Sequence, residues 1–389
     1  MTEKLYDADP YLSEASARVT RSEERDGRWR VRLERTIFRP EGGGQPADAG
    51  TVNGLPLLAL AEEDGDVVHV LERDPGAGEM ELRLDFVRRY DHMQQHTAQH
   101  LLSQLLLRRF GAATLSFAIG PEHSSIETGR PAYSDEELRE LEEECARLAW
   151  AALPVRVFSS DDPSPLSLRK PPKKSGRIRV VEIADYDRSA CGGTHVRSSA
   201  ELAPLKILRV ERVRANARLY YAAGGRALRD HRLKHDLALR LQRLVTQPLG
   251  EIPARLEALL RERDELRRER RRERRQEMER EAARALAGSD ALVRREFAAG
   301  EPEELRAFAA AVAAAGRNVL ACSRPAPGAG AAHVVVARGR GDADLRALAA
   351  PLFALLAGRG GGSAALLEGR AGDLSRLDEA ADLLRRHLG

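Results

Sequence analysis

Four side chains in this sequence have the types and spacing to hold a metal ion. His96 and His100 stand four residues apart at the start of an apolar run. On an α-helix such positions share a face, with Cβ atoms roughly 5–6 Å apart. Cys191 and His195 also stand four apart, in Cys191-Gly192-Gly193-Thr194-His195, where the glycine pair lets the backbone curl as a helix interior would not. Three imidazoles and a thiolate suit zinc, a borderline-soft ion that takes four tetrahedral ligands. The expected site is closed by two segments distant in sequence. The chain supplies its own control, because His231 and His235 have the same spacing. They lie among Arg229, Arg232 and Lys234 with no thiol nearby, so a solvated helix face is expected there. His92, one turn before His96, is either a decoy ligand or a supporting residue.

Two further stretches could bind a substrate. Thr36-Ile37-Phe38-Arg39-Pro40-Glu41-Gly42-Gly43-Gly44-Gln45 contains three consecutive glycines, which let a loop approach a ligand closely and offer bare N–H groups. Glycines alone suit an ordinary hairpin turn equally well. Thr36 and Gln45 beside them add groups able to hydrogen-bond a small polar molecule. The second stretch is basic, Leu168-Arg169-Lys170-Pro171-Pro172-Lys173-Lys174, and leads towards Cys191. Such a cluster is either a solvated loop or a place to hold a phosphate backbone.

These residues need elements to position them. Alternating runs at 29–33, 67–71 and 81–86 predict strands, and a small β-barrel-like module is expected over 1–90. A helix over 91–111 carries the histidines, with Leu101, Leu102, Leu105 and Leu106 as its apolar stripe and Gly111 as its end. Strands are expected at 114–120, 124–127, 155–158 and 177–183. A capping box at Ser134 and Glu137 opens another helix, and 205–211 with 218–223 make a hairpin. This α/β zinc-binding domain spans 91–225. A helical arm over 226–288 follows, with Pro253 in the first turn of a long helix dense in Arg and Glu. Its apolar first half is expected to pack and its charged second half to stay exposed. The arm either dimerises or contacts RNA, and composition does not choose. Residues 289–389 read as a C-terminal α/β domain, with Gly360-Gly361-Gly362-Ser363 as a Gly-rich turn before a strand. The fold class is α+β.

Composition bounds the rest. With 63 basic against 60 acidic residues the net charge is only +3, so affinity for polyanions must come from local clusters. Aromatics make up 4%, too few for extended base-stacking platforms. Three cysteines in 389 residues argue against a disulfide framework and for a reducing compartment. Cys145 reads as packing. No leader-like or membrane-spanning run is evident, and a cytoplasmic protein is expected.

The motifs resemble a known family. Thr36-Ile37-Phe38 with Pro40-Glu41-Gly42-Gly43-Gly44-Gln45-Pro46, His96-x-x-x-His100, Leu168-Arg169-Lys170-Pro171 and Cys191-Gly192-Gly193-Thr194-His195 occur in the order seen in alanyl-tRNA synthetase editing domains. The chain is similar to the free-standing AlaX proteins of the long, AlaX-L type. Specific motifs carry the resemblance over roughly 20–225, and layout carries it beyond. The resemblance implies a deacylase acting in trans on tRNA(Ala) mischarged with serine or glycine, with no aminoacylation module ahead of residue 20. It implies zinc on His96, His100, Cys191 and His195. Thr36 would sense the serine hydroxyl, Gln45 would share its pocket, and Gly43, Gly44, Arg169 and Lys170 would bind substrate. A homodimer through the arm or C-terminal domain would fit. The sequence departs from the family at Ala118, where Ser-Phe-His-x-Gly reads Ser116-Phe117-Ala118-Ile119-Gly120, and its glycine-rich tail lacks the fuller Gly-Arg-Pro pattern.

Hydrolysis of an aminoacyl ester needs a placed water and a stabilised oxyanion. Four protein ligands close a tetrahedral site, and closed zinc sites are usually structural. The metal therefore gains a ligand, loses one, or only shapes the pocket; orientation with water polarisation is the favoured reading. The alternative function is a non-catalytic, zinc-stabilised tRNA-binding protein. A different metal-dependent hydrolase on this scaffold fits less well, since pocket and ligand motifs occur together.

Overall fold

The computed structural model describes residues 1–162, 164–171, 176–298, 301–324 and 330–388. Pro172, Lys173 and Lys174 of the basic stretch lie outside the described residues. The chain forms two compact units, Met1–Arg240 and Leu241–Gly389. Among the described residues no helix is long and apolar enough to cross a membrane.

The first unit begins with the short helix α1 (Leu5–Ala8) and a seven-stranded antiparallel sheet. Across the sheet the strands run Leu55–Pro56, Gly50–Val52, Glu79–Leu84, Glu14–Arg25, Arg28–Leu33, Asp66–Leu71 and Ala59–Glu63. The long strand Glu14–Arg25 pairs with Glu79–Leu84 through residues 14–18 and with Arg28–Leu33 from Val19 onward. A register shift between Val19 and Arg21 marks the change of partner, and such bulges bend a strand. The sheet curls into a half-barrel over Ala17, Val31, Leu33, Val52, Leu71 and Leu82. It does not close as the expected barrel would, because its outer strands do not pair with each other. One of these is only Leu55–Pro56, whose proline has no N–H to offer a neighbour.

Helix α2 (Phe86–Phe110) is the axis of this unit. Asp85 caps it, its carboxylate accepting from the Arg88 amide at 3.0 Å, so the helix starts five residues before the expected 91. Gly111, at φ 63°, ends it in the left-handed conformation that glycine tolerates. Leu101, Leu102, Leu105 and Leu106 are buried as the stripe predicts, against Ile126, Leu219 and Tyr221. Truncating Leu102 to alanine should cost about 2–5 kcal/mol. Many polar side chains of α2 are buried too, and several tie it to its neighbours. Gln95 acts as a strand substitute, donating from Nε2 to Ala223 O (2.9 Å) and accepting from Ala223 N (3.0 Å). Arg89 forms a fully buried ion pair with Asp48 and donates to Ile37 O (2.7 Å) and Pro10 O (2.9 Å), tying the glycine loop to the helix.

A four-stranded antiparallel sheet packs against α2 in the order Thr114–Ile119, Ser124–Thr128, Asn216–Ala223, Leu205–Val213. Helix α3 (Asp135–Trp150) carries the capping box read at Ser134 and Glu137, and its Cys145 is buried in the core. A three-stranded sheet of Val155–Ser160, Ile178–Ile183 and Asp187–Ala190 delivers the chain to Cys191. Helix α4 (Gly225–Val245) follows, with His231 and His235 both exposed on it, as expected for a solvated face.

The second unit is a three-layer sandwich. Its five-stranded sheet runs Leu292–Phe297, Asn318–Ser323, Ala332–Ala337, Leu366–Ala371, Arg359–Gly362. Helices α5 (Ile252–Leu286) and α6 (Pro302–Ala314) cover one face through Met278, Ala282, Leu305 and Phe308 on Val319 and Ala321. Helices α7 (Arg346–Leu355) and α8 (Leu377–Leu388) cover the other on Leu320 and Cys322, so every residue of Asn318–Ser323 is buried. Two expectations are corrected here. Leu256 and Leu260, expected to pack, stay exposed with Leu266, and α5 packs near its end through Met278 and Ala282, while its charged stretch over 261–277 is exposed as expected. The Gly-rich segment, read as a turn before a strand, is itself an edge strand over Arg359–Gly362. A Cβ at Gly360 would lie 2.2 Å from Phe353, whose ring covers this strand and Gly369.

Candidate metal centre and its cleft

The structure brings His96, His100, Cys191 and His195 together, their ligand atoms all within 4.8 Å of one another. His96 Nε2 is 3.3 Å and His195 Nε2 3.4 Å from Cys191 Sγ. A tetrahedral zinc with ordinary Zn–S and Zn–N bonds separates sulfur from nitrogen by roughly 3.5 Å, so these two pairs stand near that spacing. The three rings lie with centroids 4.5–5.4 Å apart.

Each imidazole is also held from behind, as metal-bound histidines usually are. His96 Nδ1–H donates to Gln45 Oε1 at 2.8 Å, and His100 Nδ1–H to Asp187 Oδ2 at 3.1 Å. His195 Nδ1 stands 3.1 Å from Thr97 Oγ1. With Nδ1 engaged outward, Nε2 of every ring is the nitrogen left for an ion. Burial raises the Cys191 thiol, but His96, His195 and His100 outweigh it and hold it well below its ordinary value. Burial lowers His96 and takes His195 down to about 3, despite the thiolate beside them. Burial also acts on His100, but the Cys191 thiolate and the Asp187 hydrogen bond overcome it and raise that ring. Two imidazoles held neutral beside a thiolate suit a soft cation, and His100 would give up its proton on joining them.

Two arginines fix the loops. Arg39, buried, donates from Nη2 to Gly42 O (2.8 Å) and from Nε to Gly192 O (3.2 Å), joining the glycine loop to the cysteine loop. Arg179 Nη1 donates to Cys191 O (3.0 Å) and Gly193 O (2.6 Å). Gly193 must lack a side chain, because a Cβ there would lie 2.1 Å from His96 Cε1. The glycine loop itself is a tight hairpin. Gly42 and Gln45 exchange both backbone hydrogen bonds at 3.0 Å across Gly43 and Gly44, each with positive φ. A cleft of about 780 Å³ opens beside the four donors, with Arg39, Gly43, Phe117 and Arg169 in its wall.

The remaining expected site residues are placed as follows. Gln45 is wholly buried behind His96. Its Oε1 also accepts from Thr194 N (3.1 Å) and its Nε2 donates to Thr194 Oγ1 (2.8 Å), so it supports a ligand and does not face the cleft. Thr36 lies on the far side of the glycine hairpin's strand entry, in the core. It is fully buried, its hydroxyl 2.8 Å from His69 Nε2, and it accepts from Phe38 N at 3.1 Å. His69 Nδ1 is directed at Val31 O, which leaves Nε2 to accept the Thr36 proton. No part of Thr36 lines the cleft. Gly43 lines it, whereas Gly44 packs against Phe117. Arg169 reaches the cleft wall, yet it donates to His100 O (2.8 Å) and lies 3.5 Å from Asp187. Lys170 also lines the cleft and donates to Thr114 O. His92 stands outside the donor group and is buried, which lowers it to about 4. Ala118, in the place of the family histidine, is exposed on the strand while Phe117 beside it turns its ring to 5.2 Å from His96. Sequence reading missed Asp187, Thr97, Thr194, Arg39 and Arg179. The one usable signal was the need of each ligating histidine for an outward partner.

Comparisons with known proteins give the family. The family model described as threonyl and alanyl tRNA synthetase second additional domain matches residues 178–220. The alanyl-tRNA editing protein AlaX-L of Pyrococcus horikoshii is 33% identical over 288 residues, covering 69% of this chain and 71% of its own. This chain belongs to the AlaX family of alanyl-tRNA editing proteins. The alanyl-tRNA editing protein Aarsd1 of Danio rerio is 38% identical over 206 residues, 51% of this chain, which spans only 50% of that relative's length. The alanine–tRNA ligase of Pyrococcus abyssi aligns at 30% identity with 98% of this AlaX chain, over 43% of its own length. Among solved structures, the C-Ala domain from Aquifex aeolicus alanyl-tRNA synthetase matches 25% of this chain and 89% of its own, at 25% identity and a TM-score of 0.23.

Proposed function

We propose that this AlaX chain hydrolyses the ester of tRNA(Ala) mischarged with serine or glycine, acting in trans, with zinc held by His96, His100, Cys191 and His195. The observation that carries this reading is the convergence of those four donors beside a cleft walled by the glycine hairpin and by cationic side chains. Bound zinc supplies Lewis acidity and a fixed point for the aminoacyl group. The protein supplies the rest. Gln45, Asp187 and Thr97 orient the imidazoles, and Arg39 and Arg179 lock the two loops that form the mouth. Arg169 and Lys170 give the mouth a positive edge for the phosphates of the tRNA end. The half-barrel of 1–90 brings the hairpin, 91–225 brings the donors, and 226–288 with 289–389 add surface for tRNA or for a second copy. The exposed Leu256, Leu260 and Leu266 of α5 favour a homodimer, which sedimentation of wild type against Leu260→Glu tests.

Purified protein incubated with seryl-, glycyl- and alanyl-tRNA(Ala), with and without chelator, tests the activity. Release of serine or glycine, sparing of alanine and loss under chelation are expected. Should wild type release nothing while His100→Ala unfolds the first unit, the zinc serves only to hold an RNA-binding module together.

A further inference from the structure

A second cavity, of about 790 Å³, lies in the first unit where the start of α2 meets the start of α4 and the turn at Gly120 and Pro121. It shares no lining residue with the cleft beside the four donors. His92 lines it, with only 4% of its surface exposed. Its Nδ1 is shut off from solvent and has no hydrogen-bond partner among the described residues. Buried polar atoms are nearly always paired, so this one calls for an account. Burial lowers the ring to about 4 and keeps it neutral, able both to donate and to accept.

The rest of the wall narrows the choice of ligand. Phe86 and Tyr90 stack with ring centroids 5.8 Å apart and planes 27° apart, and both line the cavity. The Tyr90 hydroxyl donates to Glu201 at 2.8 Å, which holds that aromatic side in place. Two exposed cations stand beside it. Arg88 has no acidic side-chain partner among the described residues, and its Nε donates only to Ala47 O at 3.3 Å. Arg229 lies 3.4 Å from Asp91, but Arg226 already holds that carboxylate through bonds of 2.7–2.9 Å. An aromatic side, a neutral hydrogen-bonding ring and unspent positive charge match the base face, the base edge and the phosphate of a nucleotide.

We propose that this cavity binds a nucleotide, its base beside Phe86 and Tyr90 and hydrogen-bonded by His92, its phosphate at Arg88 and Arg229. The chemistry is the same whether the nucleotide is free or belongs to a bound tRNA. The site stands apart from any hydrolysis in the cleft.

Titration calorimetry of the full chain tests this with each nucleoside 5′-monophosphate, with inorganic phosphate and with deacylated tRNA(Ala). Wild type is compared with Arg88→Glu and His92→Phe. At least one nucleotide should bind wild type, with inorganic phosphate about tenfold weaker or worse, and each substitution should weaken the nucleotide about tenfold. His92→Phe alters no charge on the neutral ring, so its effect separates the cavity from general attraction of anions. A glutamate at position 88 sits in the first turn of α2, where an acid suits the helix, so Arg88→Glu decides if His92→Phe fails to fold. Equal weakening of tRNA(Ala) assigns the nucleotide to the tRNA, and unchanged tRNA binding assigns it to a free ligand. Absence of nucleotide binding, phosphate bound as tightly as nucleotide, or affinity indifferent to both substitutions overturns the proposal.

Discussion

Asp187 Oδ2 accepts the Nδ1–H of His100 at 3.1 Å, so a fully buried carboxylate stands behind one of the four candidate metal donors. Its other oxygen lies 3.5 Å from Arg169 Nε, and Ser189 Oγ donates to Oδ2 at 3.1 Å. Such a carboxylate fixes the ring and increases its basicity as a ligand. Asp187→Ala should loosen zinc about 10–100-fold, measured by competition with a chelator of known affinity. Asp187→Asn, which keeps an acceptor, should fall between the two. Equal affinity in all three proteins would show that the contact is incidental.

The Gly193 backbone lies directly against the His96 ring. Gly193→Ala is expected to displace that ring and reduce bound zinc per chain, while helix content by circular dichroism stays near wild type. Full zinc occupancy in the variant would refute the claim.

Thr36 and His69 form an internal pair. Thr36→Val leaves the His69 acceptor and the Phe38 amide without partners and should cost about 1–3 kcal/mol in urea unfolding. Seryl and glycyl esters should be affected alike. A loss confined to the seryl ester would return Thr36 to the cleft.

His69 is also a source of acid sensitivity. Burial lowers it from 6.5 to about 4. Between those values the unfolded chain binds the proton and the folded chain does not. Its contribution is therefore complete above about pH 6.5 and is lost as pH falls towards 4. Compared with His69→Gln, wild type should lose roughly 3 kcal/mol of unfolding free energy between pH 7 and pH 4. Parallel pH curves for the two proteins would contradict this.

The four donors were legible because their spacings carry chemistry that no structural role of the same residues needs. The helix over 91–111, the capping box at Ser134 and the closing hairpin were legible for similar reasons, since local pattern and turn residues agree there. Three things were not. Thr36 and Gln45 flank a glycine hairpin in sequence, but whether they face a cleft depends on which neighbours enclose them, and His69 and His96 do so from 33 and 51 residues away. The packed end of α5 follows from contacts with α6 and not from leucine content. Asp187 stands four residues before Cys191, yet its partner His100 is 87 residues distant. Local periodicity has no access to such pairs.

The separation of 95 positions from His96 to Cys191 also sets an order of events at the ribosome. A growing chain exposes two imidazoles on α2 long before the thiol that completes the set has been synthesised. The ion cannot be captured by the full donor set until residue 195 has left the exit tunnel. An ion held by all four donors would therefore be acquired only after the whole amino-terminal sheet has been synthesised.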